Sequence, residues 1–130
     1  MIKFKSKVTG DTGEKYAENY LRKHNYKILE RNYRKKYGEI DIIAEKKDFL
    51  VFVEVKTRHT ASITSGVDAV DYKKQQRIIK TASAYLAEND IEKFCRFDVC
   101  EVYVNAESLK LESLNYIENA FETEAGYASN

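Results

Sequence analysis

The chain has 130 residues, with 22 Lys/Arg against 21 Asp/Glu, ten Tyr, six Phe, no Trp and no Pro. That length supports one domain around one core, and no apolar run approaches the ~20 residues that span a bilayer, which excludes a helical membrane protein. Net charge is only +1, which argues against a dedicated nucleic-acid binder, yet it is uneven: residues 1–36 carry eleven basic against four acidic side chains, residues 37–104 ten against twelve, and residues 105–130 one against five.

Taken in chain order, the opening Met1-Ile2-Lys3-Phe4-Lys5-Ser6-Lys7 lacks the apolar stretch of a secretory signal, so the cytoplasm is the expected compartment. Asp11 followed by Glu14 reads as a helix cap, and Glu14, Ala17, Glu18 and Leu21 then repeat at helical spacing to about Lys23. Tyr26 to Tyr33, with Ile28 prominent, predicts a strand. Two further strand-like runs follow, Gly38-Glu39-Ile40-Asp41 onward and Phe52-Val53-Glu54-Val55-Lys56, with Lys47-Asp48 as the turn between them. Thr57 to Gly66, rich in Thr and Ser, predicts a loop. A second helix is expected from about Ala69 to Ala87, with Gln75, Ile78, Ile79, Ala82, Tyr85 and Leu86 as its inner stripe and Lys73, Lys74, Arg77 and Lys80 as its charge. Arg96 to Val104 alternates as a strand. Cys95 and Cys100, five apart on that run, point to opposite faces, which speaks against a disulfide or a zinc pair. Asn105 to Ser108 reads as a turn, with Leu109, Leu111 and Leu114 available for an added edge strand. The expected architecture is a single α/β domain, α-β-β-β-α-β, with a mixed sheet flanked by helices, a core over about 11–104 and a C-terminal extension over 105–130.

The hairpin carries the chemistry. A turn at Lys47-Asp48 sets opposite each other residues whose numbers sum to 95, so Asp41 is expected to face Glu54 and Glu39 to face Lys56. Ile40, Ile42 and Ala44 with Val51, Val53 and Val55 form an apolar face on one side, while Ile43, Leu50 and Phe52 continue the charged side, so both faces are expected to be covered. Carboxylates placed opposite each other in such surroundings repel and lose hydration, unless a cation compensates. A hard divalent ion such as Mg²⁺ answers that need: it prefers oxygen ligands, takes one or two carboxylates and keeps waters.

These strings resemble the PD-(D/E)XK nuclease superfamily, whose core has the same element order. Asp41 stands at its acidic first motif, with Ile40 where Pro often stands, and Glu54-Val55-Lys56 is its (D/E)XK motif. More closely, Gly13-Glu14, Ala17-Glu18, Arg31-Asn32-Tyr33-Arg34, Gly38-Glu39-Ile40-Asp41, Phe52 to Arg58, Lys74-Gln75 and Arg96-Phe97-Asp98-Val99 resemble the uncharacterised bacterial YraN-like family, a Holliday-junction-resolvase-type branch. The resemblance implies a restriction-endonuclease-like fold. It also implies Mg²⁺ or Mn²⁺ held by Asp41, Glu54 and the Val55 carbonyl, with Lys56 positioning or deprotonating a water.

A carboxylate from the first helix often joins such sites; Glu18 is the choice and Glu14 the alternative. Gln75 approaches from the second helix, and Glu39 and Asp98 are candidates for supporting the ligands, each with a structural alternative as an ion-pair partner. Arg31, Arg34, Arg58, Lys74 and Arg77 are the expected nucleic-acid contacts, with Tyr33 or Tyr37 able to stack on a base. His24 and His59 read as a surface and a loop residue.

The leading expectation is a metal-dependent endonuclease on branched or otherwise structured DNA, for which a homodimer would supply symmetric cuts. The alternatives are a nuclease fold that binds DNA or a protein partner without cutting, and a charge cluster neutralised by Lys56 for purely structural reasons.

Overall fold

The computed structural model describes residues 2–59 and 70–123, with side chains from Thr9 onward. Helix α1 runs Ile2–Lys23, followed by strands β1 (Lys27–Lys35), β2 (Gly38–Lys46) and β3 (Phe49–His59), helix α2 (Tyr72–Asn89), and strands β4 (Phe94–Val104) and β5 (Leu111–Phe121). The five strands form one sheet in the order β1-β2-β3-β4-β5; β3 and β4 are parallel and the other neighbours antiparallel. This is the expected α/β core, α-β-β-β-α-β, with β5 completing the sheet as an edge strand. Among the described residues no helix is long and apolar enough to cross a membrane.

Helix α1 begins well before the expected Asp11 cap, and its buried stripe, Thr9, Gly13, Ala17 and Leu21, spans that point at a spacing of four. Its end is a Schellman motif: Tyr26 N–H donates to the Leu21 carbonyl at 2.9 Å and Asn25 N–H to that of Arg22 at 3.1 Å, with Asn25 left-handed at φ 68°. Helix α2 begins at Tyr72, not Ala69, which lies outside the described residues. Asp71 caps it by accepting from Lys74 N–H at 2.8 Å, and Asp90, left-handed at φ 49°, ends it. Its inner stripe includes Thr81, fully buried, where the hydroxyl satisfies itself on the Arg77 carbonyl at 2.7 Å.

Each face of the sheet carries its own core. One gathers Ile43, Leu50, Phe52, Phe97, Val99 and Phe121 under the α2 residues Ile78, Ala82, Tyr85 and Leu86. The other gathers Ile42, Ala44, Val51, Val53, Cys100, Val102 and Val104 under Ala17 and Leu21 of α1. Both faces are therefore covered, and the two cysteines, both free, fall to opposite cores. One expected position changes: Ile40 packs with the α2-side core, not with Ile42, so the alternation of β2 is interrupted across Asp41.

The predicted loop from Thr57 is also corrected at its start. Thr57, Arg58 and His59 continue β3, because β4 offers them one partner each, Val102, Tyr103 and Val104. Residues 60–66 of that expected loop lie outside the described residues.

Candidate metal and phosphate cleft

The β2–β3 hairpin has the expected register, Ile42 opposite Val53, Ile43 opposite Phe52, Ala44 opposite Val51 and Lys46 opposite Phe49, but the ladder stops at Ile42/Val53. Beyond it Asp41 and Glu54 are not strand partners. The Val55 N–H donates instead to Asp41 Oδ2 at 2.8 Å, a side chain taking the place of a ladder carbonyl. On the other flank the β1–β2 register omits Asn32, the residue facing Asp41, which is left-handed at φ 52°. The strands thus part around Asp41, and side chains from both faces of the sheet reach one opening.

Two glycines bring the helices to that opening. A Cβ on Gly13 would lie 1.8 Å from Thr57 Oγ1, so α1 can meet β3 only with hydrogen there. A Cβ on Gly38 would lie 2.7 Å from Thr81 Oγ1 and 3.1 Å from the Arg77 carbonyl, which sets α2 equally close on the other face. The result is a cleft of about 700 Å³ lined by Glu14, Glu39, Asp41, Glu54, Val55 and His59 together with Lys74 and Arg77. It lies beside the carboxyl half of β3 and the amino end of α2, where α/β folds commonly receive anionic ligands because helix N–H groups point outward. Gly13→Ala is expected to cost roughly 2 kcal/mol by overpacking and to lower the melting temperature by about 8 °C, read by circular dichroism.

The electrostatics are those of crowded acids. Burial, with the adjacent Glu54 carboxylate and more distant Glu14, pushes Asp41 up from 3.8 to about 8, against the Val55 N–H bond that lowers it. Burial likewise raises Glu14, whose Oε1 is buried without a hydrogen bond. Glu54, only 6% exposed, is held by an ion pair from Lys74 Nζ to its Oε2. Burial alone would lower Lys74, but Glu54, Asp41 and Asp71 outweigh it and raise it above its ordinary value.

Residues 13–102 match the family described as Uncharacterised protein family UPF0102. Over 122 residues the chain is 49% identical to a UPF0102 protein of Caldanaerobacter subterraneus subsp. tengcongensis, covering 93% of this chain and 100% of that protein. It is 46% identical to one of Clostridioides difficile over 89% and 98%, and 45% identical to one of Clostridium acetobutylicum over 90% and 96%. The chain belongs to the UPF0102 family. This is the YraN-like member of the PD-(D/E)XK nuclease-like superfamily, and the match opens at Gly13, the residue that admits β3.

Within this UPF0102 protein the expected site residues divide into two groups. Asp41, Glu54, Val55, Lys74 and Arg77 meet at the cleft, and Glu14 joins them from α1. Glu18 does not: one turn further along, it is taken by Arg22 at 2.9 Å and Arg31 at 3.0 Å. Glu14 and Glu18 share one face of α1, and the close approach at Gly13 sets the turn that carries Glu14, not the next one, at the opening. Glu39 does line the cleft, but its partner is Arg34, through two hydrogen bonds of 3.1 Å, not Lys56 as the register alone implied.

Lys56 does not line the cleft; it stands beside Glu101 of β4 in the parallel register. Gln75 also stays out of it, donating from Nε2 to the Val70 carbonyl at 2.7 Å and so holding the entry to α2. Asp98 is fully buried away from the cleft, accepting from Arg96, from Tyr116 OH at 2.5 Å and from Asn119 N–H at 2.9 Å. Arg31 and Arg34 are already paired with acids, Arg58 is partly buried on β3, and the cleft's basic side chains are Lys74 and Arg77. Tyr33 is engaged too, its hydroxyl donating to Glu88 at 2.5 Å, while Lys80 covers the Tyr37 ring at 4.8 Å.

Sequence reasoning missed His59, which lines the cleft from the end of β3. The signal for it was the unbroken strand pattern of β4, long enough to demand partners up to residue 59.

The Asp41 carboxyl makes stability depend on pH with a definite sign. Between about pH 4 and 8 the folded chain holds a proton on Asp41 that the unfolded chain has released, so raising the pH withdraws that proton at a cost to the fold. The metal-free protein is expected to lose stability progressively from pH 5 to pH 8, and Asp41→Asn is expected to flatten that slope in urea titrations at each pH.

Proposed function

We propose that this protein is a divalent-metal-dependent endonuclease that hydrolyses phosphodiester bonds in branched or otherwise structured DNA. The observation that carries the reading is the Asp41–Glu54 pair, two carboxylates forced together at the opening of the sheet with Glu14 beside them and basic residues on the rim. Among the described residues no three His, Cys, Asp or Glu side chains converge into a ready ion cage. That suits Mg²⁺ or Mn²⁺, which takes one or two protein carboxylates and fills its remaining positions with water and phosphate oxygen. Glu14 lines the same cleft, its buried Oε1 without a hydrogen bond and 4.0 Å from Arg31.

Asp41, Glu54 and the Val55 carbonyl would hold the ion, with Glu14 within the same cleft. When bound, the ion supplies Lewis-acid polarisation of the phosphate and a more acidic water. The chain's own residues do the rest. The Val55 N–H orients the Asp41 carboxylate, Arg34 holds Glu39, and Lys74 and Arg77 receive phosphate oxygens. The superfamily pattern would give the attacking water to Lys56, but Lys56 stands beside Glu101 outside the cleft, so the geometry supplies no such role for it. Recognition rests on backbone shape, since among the described residues no element offers a base-reading helix. A homodimer would present two such clefts to a junction.

The test is incubation with Mn²⁺ and a panel of four-way junctions, flaps, single strands and duplexes, alongside Glu54→Gln. Cleavage of a structured substrate that EDTA and Glu54→Gln both abolish is the expected result. Salt-sensitive DNA binding that is indifferent to metal, with no cleavage, would instead identify a binding module.

A further inference from the structure

Lys74 is placed oddly for a permanent structural partner. Its ammonium neutralises Glu54, whose side chain is 7% exposed, yet its own side chain is 46% exposed and rises from the first turn of α2 at the rim of the cleft. Its backbone is anchored, with Lys74 N–H on the Asp71 carboxylate at 2.8 Å, while its four-carbon stem is free to turn. The Glu54 carboxylate that it holds is one of the two groups that the proposed ion requires.

A buried carboxylate beside Asp41 needs a positive charge in either condition, and a divalent cation at the same place offers twice the charge of an ammonium. Both cannot take the same oxygen at full strength. Arg77, one turn along α2, lines the same cleft, and no ion pair to Glu54 is found for it among the described residues.

We propose that Lys74 is a displaceable counter-ion: it holds the Glu54 carboxylate while no divalent cation is bound and surrenders it when one binds, leaving its ammonium at the rim for a phosphate oxygen of the nucleic acid. The exchange gives a metal-free protein that keeps its acids neutralised and folded, and a metal-loaded one that gains a phosphate contact. It rests on the metal-site reading above and assigns to Lys74 a positioning role, acting through Glu54.

The test is Mn²⁺ binding without DNA, followed by electron paramagnetic resonance from the loss of the free-ion signal, for the wild type, Lys74→Met, Lys74→Arg and Arg77→Met. Removing a competitor should tighten Mn²⁺ by about tenfold in Lys74→Met, whereas Arg77→Met, which takes a charge from the same cleft without freeing Glu54, should shift it by no more than about threefold. Lys74→Arg, which keeps the ion pair, should stay near the wild type and guards against misfolding. In EDTA, Lys74→Met should melt lower than the wild type, and saturating Mn²⁺ should erase the difference. Mn²⁺ affinity in Lys74→Met equal to or weaker than that of Arg77→Met would overturn the exchange while leaving the metal site standing. A wild type that does not bind Mn²⁺ at all would overturn the metal site itself, and the exchange with it.

Discussion

Asp41→Asn is expected to abolish metal-dependent phosphodiester cleavage, by at least about a thousandfold, while making the metal-free protein more stable at pH 8. The two effects have one cause. Asp41 is partly buried, sits against Glu54 and accepts from the Val55 N–H; burial and the Glu54 carboxylate outweigh that bond and hold its carboxyl up at about 8. Asparagine keeps the carbonyl that accepts from Val55 and removes the charge that repels Glu54. Relief of about 1–2 kcal/mol at pH 8 corresponds to a rise of about 5 °C in melting temperature, measured in EDTA. The same substitution removes an oxygen that a divalent ion would take. Binding of the ion to the wild type at pH 7 should expel close to one proton, and calorimetric titration in buffers of different ionisation enthalpy reads that directly. A variant that is more stable but inactive would separate the cost of the acid pair from its use; a variant less stable in EDTA would show that Asp41 serves the fold.

Asp98→Ala is expected to be the most destabilising single change outside the cleft, about 3–5 kcal/mol, or roughly 15 °C. Asp98 is fully buried and answers three donors from different parts of the chain: the Arg96 guanidinium at 2.8 and 2.9 Å, Tyr116 OH and Asn119 N–H. Tyr26 adds its hydroxyl to Arg96, and its ring lies 5.8 Å from the guanidinium carbon. Removing the carboxylate leaves the Tyr116 hydroxyl and the Asn119 N–H without that acceptor and leaves Arg96 with Tyr26 and the more distant Glu118, 3.7 Å away. Because Tyr116 and Asn119 belong to β5, the edge strand should loosen first, visible as faster amide exchange over residues 111–121 than over β3. Asp98→Asn, which keeps the shape and some acceptors, should cost less than alanine. Cleavage activity measured well below the melting temperature should survive, in contrast to Asp41→Asn.

Much of this architecture is legible in the chain because its causes are local. The turn at Lys47-Asp48 with alternating Ile42, Ala44, Val51 and Val53 determines the hairpin register, and a slip of one residue would have turned those apolar side chains to the opposite face. The small-residue stripe of α1 and the Ile78–Leu86 stripe of α2 are equally local. What failed depended on distant partners. An ideal ladder sets Glu39 opposite Lys56, but the ladder ends at Ile42/Val53, where Asp41 takes the Val55 N–H for its own side chain. Thr57 to His59 looked like a loop by composition, and β4 made them a strand.

From its residues alone the chain determined its element order and the two covered faces of its sheet, since each follows from turn position and side-chain period. Only the tertiary structure decided which helix acid enters the cleft, which lysine holds Glu54 and that Asp98 stands apart. Those choices turn on where each helix lies along the sheet and on how closely backbones meet. Here Gly13 against Thr57 and Gly38 against Thr81 set them, between segments with no sequence signal linking one to the other.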